Sequence, residues 1–274
     1  MNKRFAIGTG LMTVCLLAAS IARAQNVAPG TLHSVASLVA IDPETMKRVT
    51  IGSAFFVEVP SKAFSGNSFV YLITARHNLF DNNGNPIAKP RLSVLDSRTS
   101  VLREDPLPSG DRWFSDPKND DIDLAVLPFS PAHATFTTIP LARFVNTSPD
   151  TTIAVDSQLG ADAYYLSVIS GAELEPHPVI ATRFGRVSVA QPAATSDIPG
   201  AGKQNLYFLE GASAPQASGA PVFMRTGENA VLWGMVEGSI ADPSSPFSGL
   251  IGVLPAAQIA ETVRAMAAIQ EQKP

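Results

Sequence analysis

The chain has 274 residues, of which 45% are apolar and 16% charged, with a formal net charge of −4. That length is consistent with one or two domains. So apolar a composition excludes an intrinsically disordered chain, and the charge excludes a strongly basic nucleic-acid binder.

Met1, Asn2, Lys3 and Arg4 make a basic start, an apolar run covers residues 5–19, and Ala22-Arg23-Ala24 follows as a small-x-small site. These are the three parts of a secretory signal peptide. The expectation is cleavage after Ala24 and a secreted or periplasmic product with no membrane attachment. Gly8, Thr9, Gly10 and Thr13 interrupt a run already too short to span a bilayer. Lys3, Arg4 and Arg23 leave with the leader and no acid does, so the product is the more acidic. Cys15, the one cysteine, leaves too, which excludes disulfides and thiol chemistry.

After the leader, β-rich runs cover residues 34–41 and 52–59, divided by the turn at Asp42-Pro43. Residues 69–74 (FVYLIT) form a nearly continuous apolar run, as in a buried strand. Asp81 to Pro86 is dense in turn formers. Further strands are expected at 92–95 and 124–129, then a connector over 130–152. Strands at 164–169, 179–189, 206–209, 221–224, 231–236 and 250–254 come next. Short strands at roughly even spacing indicate a sandwich or barrel. Residues 255–270 differ: Ile259, Val263, Met266 and Ala267 recur at helical spacing, so one terminal amphipathic helix should pack on the β body.

Three segments carry chemistry. His77 stands at the exit of a buried strand, in ITARH. Asp123 stands at the mouth of the apolar strand DLAVL. Ser218 sits in the tight turn QASGAP. A serine hydroxyl is a poor nucleophile near neutral pH. It needs a base within hydrogen-bond reach, and that imidazole needs an acceptor to hold its tautomer. His77 and Asp123 lie in the first half of the chain and Ser218 in the second, so the site is expected in a cleft between two β units.

These residues, with Gly52-Ser53-Ala54-Phe55, the strand Trp233-Gly234-Met235-Val236 and the closing Ile251-Gly252-Val253 plus helix, resemble the trypsin-like (chymotrypsin-fold) serine peptidases, particularly the cysteine-free bacterial ones. The resemblance spans about residues 30–270. It implies an all-β fold of two antiparallel six-stranded barrels, over residues 25–135 and 136–254, with a C-terminal helix and tail at 255–274. It also implies hydrolysis of peptide bonds in a peptide or protein substrate through an acyl-enzyme. His77 would be base and then acid, Asp123 its orienter, and Ser218 the nucleophile. The N–H groups of residues 216 and 218 would form the oxyanion hole. The pocket floor would fall on Ala212 and Ser213, with walls from Val236, Glu237, Gly238, Ser239 and Gly252. No cofactor and no metal are implied, and the oligomeric state is not legible.

Two departures accompany the match. The family has glycine where this chain has Gln216, and a side chain there can disfavour the turn that aims the N–H. That departure supports an alternative reading, a catalytically impaired scaffold that binds peptides or a protein partner. Ala217 replaces the acid used for zymogen activation, so no such step is expected. Glu237, where the family has a small polar residue, reads either as a partner for a basic substrate group or as a register off by one or two. Ser213 is a rival nucleophile without a following glycine. The acids at 116, 120, 121 and 123, with Asn119, read as a solvated loop, and residues 81–85 as a turn.

Overall fold

The computed structural model describes residues 27, 30–42, 45–81, 83–116, 118–119, 121–147, 151–169, 179–195, 204–227, 229–240, 244 and 249–272. The expected leader lies outside them. The first half is a seven-stranded sheet: β1 (Val35–Ile41), β2 (Arg48–Pro60), β3 (Ser68–Thr74), β4 (Arg91–Leu95), β5 (Leu102–Pro106), β6 (Ala125–Pro128) and β7 (Ile139–Pro140). Its order is β5-β4-β1-β2-β3-β6, with β7 parallel to β2. The second half holds β8 (Asp162–Ile169), β9 (Val179–Thr195), β10 (Gln204–Gly211), β11 (Pro221–Thr226), β12 (Asn229–Ser239) and β13 (Leu250–Pro255). These close an antiparallel barrel in the order β10-β13-β12-β11-β8-β9. Two helices join the β body, α1 (Val155–Gln158) and α2 (Ala256–Glu271). One closed barrel and an accompanying sheet thus stand where two barrels are expected.

Alternation of side chains builds three apolar clusters. Leu38, Phe56, Leu72 and Leu92 fill one side of the first sheet. Tyr165, Leu209, Trp233 and Val253 fill the barrel. The largest cluster lies between the halves, where Phe55, Tyr71 and Ile73 meet Tyr164, Phe208, Leu232 and Leu254. The α2 helix adds Ile259 and Val263 to that shared core, as its 3.6-residue period predicts. Among the described residues, no helix is long and apolar enough to cross a membrane.

Polar contacts tie α2 to the first sheet. Glu271 accepts the N–H groups of Lys62 and Ala63 at 2.6 and 2.9 Å. The Thr262 hydroxyl donates to Asp116 at 2.9 Å. Asp116 is buried and also accepts the N–H groups of Lys118 and Asn119. It is therefore a loop anchor, in contrast to the solvated reading. The connector over 130–152 also contains β7, so strand pairing with the first sheet extends to Pro140, past the expected boundary at 135. The short strand β5 was not expected: its LREDP sequence has charged residues where an apolar run would mark a strand.

Candidate active site

The loop ends of the two halves meet at His77, Asp123 and Ser218. A 3-10 turn, Arg76–Leu79, leaves β3 and carries His77. Asp123 lies two residues before β6, which pairs with β3. Pairing of these strands brings Asp123 onto the turn. Asp123 is buried, and its Oδ1 accepts the His77 main-chain N–H at 2.8 Å. Its Oδ2 bonds the imidazole Nδ1. The Asp123 N–H donates to the Gln204 side-chain oxygen of β10 at 3.2 Å. Burial opposes ionisation of Asp123, but hydrogen bonding and attraction from His77 outweigh it, and the carboxyl is held below the usual carboxylate range.

Ser218 is joined to the first sheet through its backbone. Its carbonyl accepts from the Ser53 N–H at 2.8 Å and from the Asn78 amide at 2.9 Å. The Asn78 amide also reaches Thr74 Oγ1, which donates to the Ser53 carbonyl. Glycine makes room twice. A Cβ on Gly52 would lie 2.2 Å from the Asn78 amide nitrogen. A Cβ on Gly219, at φ +86°, would lie 2.0 Å from the Ser53 carbonyl oxygen. Bare backbone at these positions is what lets the Ser218 loop sit against Ser53 and Thr74 of the first sheet.

The Ser218 hydroxyl donates to the main-chain carbonyl of Glu237 at 2.8 Å. Among the described residues no hydrogen bond joins it to His77. Gln216 adopts φ +60°, the left-handed conformation. Its carbonyl accepts from Ser53 Oγ at 2.9 Å. The glycine-like turn therefore forms despite the side chain. The N–H groups of Gln216 and Ser218 enter no hydrogen bond among the described residues.

A small pocket of about 30 Å³ adjoins Ser218. Ser213, Val236, Gly238 and Ser239 line it, as expected, together with Tyr165, Ala214, Ala217 and Ile251. The expected floor residue Ala212 and the expected wall residues Gly252 and Glu237 do not. Ala212 is exposed and uses its carbonyl to accept the Tyr165 hydroxyl at 2.5 Å. Gly252 pairs with Gly238 within the sheet, and its neighbour Ile251 supplies the wall. Glu237 is 1% exposed and points away, into the cluster with His77 and Asp123. Its carboxyl therefore does not line the pocket.

A β-bulge explains Glu237. The β11–β12 register shifts between Val222 and Phe223, opposite Leu232 to Gly234. Trp233 packs inside the barrel, yet Met235, two residues on, packs in the shared core. The extra residue reverses the alternation, and Glu237 turns towards Asp123. Tyr165 was also missed; its tyrosine-rich strand offers no signal in the sequence to mark which ring faces the pocket.

Comparison of the chain with protein-family models finds no match, and comparison with curated proteins finds none either.

Proposed function

We propose that the protein is an exported serine endopeptidase of the trypsin-like type, acting through an acyl-enzyme on Ser218. The observation that carries the reading is the His77–Asp123 pair, a buried carboxylate bound to both the main chain and the imidazole of His77, set beside a serine whose carbonyl is held by the next residue, Asn78. The bridge between Phe114 and Val126, hydrogen-bonded in both directions at 2.9 and 2.8 Å, supports reading the first sheet as a second barrel. It returns the segment after edge strand β5 to edge strand β6.

In this reading His77 Nε2 takes the Ser218 proton as Oγ attacks the scissile carbonyl, and Asp123 stabilises the resulting imidazolium. The Gln216 and Ser218 N–H groups receive the oxyanion. His77 then protonates the leaving amine, and water releases the acyl group by the reverse steps. A pocket with no charged lining suits a small or medium uncharged residue before the scissile bond.

The hydroxyl's bond to the Glu237 carbonyl favours the second reading, a silent scaffold that binds peptides. A fluorophosphonate probe separates the two. Labelling at Ser218 that is lost in His77→Ala supports the enzyme. A folded protein that stays unlabelled supports the scaffold.

A further inference from the structure

Glu237 is the one group at the site to which the mechanism above gives no work for its side chain. It is 1% exposed, and neither carboxyl oxygen closes a well-formed hydrogen bond with protein. One of its oxygens, a carboxylate oxygen of Asp123 and a ring nitrogen of His77 all lie within 4.8 Å of one another. Gln204 approaches from β10. The ionisable groups in this cluster are Asp123, from the segment before β6, and His77, from the turn after β3. The flanking strand β13 has no ionisable side chain, and Arg225 of β11 lies opposite Ala230, at the other end of β12.

Two anions buried side by side would repel each other at a place where burial already disfavours each charge. A divalent ion is a poor alternative. Nδ1 and Oδ2 of the His77–Asp123 pair are in direct hydrogen-bond contact, whereas two ligands of a tetrahedral ion stand about 3.3 Å apart. A proton resolves the cluster without moving it.

We propose that Glu237 is a positioning residue, a neutral carboxylic acid whose O–H is directed to the Asp123 carboxylate. It gives Asp123 a further donor alongside the two from His77, so the carboxylate keeps the orientation that selects the Nδ1–H tautomer. It also leaves the cluster with one negative charge in place of two. Burial, foremost, and the neighbouring Asp123 charge both push the Glu237 carboxyl well above the ordinary range. The catalytic meaning rests on the peptidase reading; the protonation does not.

The test is ¹³C-carboxyl NMR of protein labelled at glutamate, with Glu237→Gln identifying the resonance. The Glu237 carbon is expected to stay in its protonated position at pH 7, where exposed glutamates have titrated. A carbon that titrates with the others near their reference value of about 4.3 overturns the proposal. Stability against pH gives a second readout. A carboxyl with a raised folded-state pKa contributes stability below its unfolded value and loses it as pH rises through the folded value. The wild type should therefore lose melting temperature as pH rises from about 4.3 through the folded value, and Glu237→Gln should lose less. Equal losses also overturn it. For the positioning role, Glu237→Leu should slow fluorophosphonate labelling about ten- to a hundred-fold, the range for one hydrogen bond to a charged group. Glu237→Gln, which keeps a donor, should restore part of that rate. Equal slowing in both variants refutes the positioning role. An unlabelled wild type with a protonated Glu237 refutes the peptidase reading alone.

Discussion

Replacing Gly219 with alanine tests the joint between the two halves most directly, because Gly66 supplies an internal control. Both glycines have positive φ, +86° and +84°. Around Gly66 a Cβ meets nothing within 4 Å, whereas at Gly219 it meets the Ser53 carbonyl oxygen at 2.0 Å and Thr74 Oγ1 at 2.6 Å. Left-handed backbone costs an alanine about 1–2 kcal/mol. The stiffer unfolded chain returns about 0.4–1 kcal/mol. Gly66→Ala should therefore cost about 1 kcal/mol. Gly219→Ala carries the same cost plus the clash. A main-chain oxygen at 2.0 Å cannot yield as a flexible side chain can, so the nucleophile loop must move by more than 1 Å. That movement strains or breaks the two hydrogen bonds to the Ser218 carbonyl, each about 1 kcal/mol, and overpacking adds about 1–3 kcal/mol. The total is about 4–6 kcal/mol. At about 2–4 °C per kcal/mol for a chain of this size, Gly219→Ala should melt roughly 10–20 °C below the wild type and Gly66→Ala only a few degrees below. Calorimetry of the three proteins measures this. If Gly219→Ala melts with Gly66→Ala, the loop does not press on the Ser53 strand and the account of the joint is wrong.

Three other outcomes follow from the same geometry. Asp123→Asn should keep the fold but slow Ser218 labelling by about 10⁴, because the amide favours the wrong imidazole tautomer. The native Asp123 carboxyl lies low, so its contribution to stability is present above its unfolded value and is lost as pH falls through the folded one. Acid titration of the melting temperature should thus be shallower in Asp123→Asn. Gln216→Gly should change the labelling rate less than ten-fold, because the φ +60° turn already exists; a gain of 10² or more would mean that the glutamine misaims its N–H. In a panel of peptide esters that differ before the scissile bond, small and medium apolar residues should be cleaved well and lysine and arginine hardly at all, because the pocket lining carries no charge; fast cleavage after a basic residue would refute the pocket reading.

Much of this was readable in one dimension. Apolar runs such as FVYLIT mark strands because a buried strand shows no alternation, and the spacing of Ile259, Val263 and Ala267 marks a helix face. Such signals are local, carried by residues within a few positions of one another. The segments holding His77, Asp123 and Ser218 are local motifs too, and the structure brings the first two into contact and seats the third beside them.

What the tertiary structure alone decided depends on contacts across the chain. The strand β7 is two residues long and exists only because β2 offers it partners. Asp116 looks solvated until Thr262, 146 positions away, donates to it. Gln216 holds a glycine's conformation because Ser53 secures its carbonyl from the other half of the molecule. Glu237 illustrates the difference best. The residue types around it are plain in the sequence, but β12 has register shifts at Leu232–Gly234 and at Glu237 itself, which decide which way its side chains point, and such shifts are set by the pairing between strands. Composition and period determined which segments are strands. The pairing of distant strands determined that this carboxyl lies in the cluster with Asp123 and not in the pocket beside Ser218.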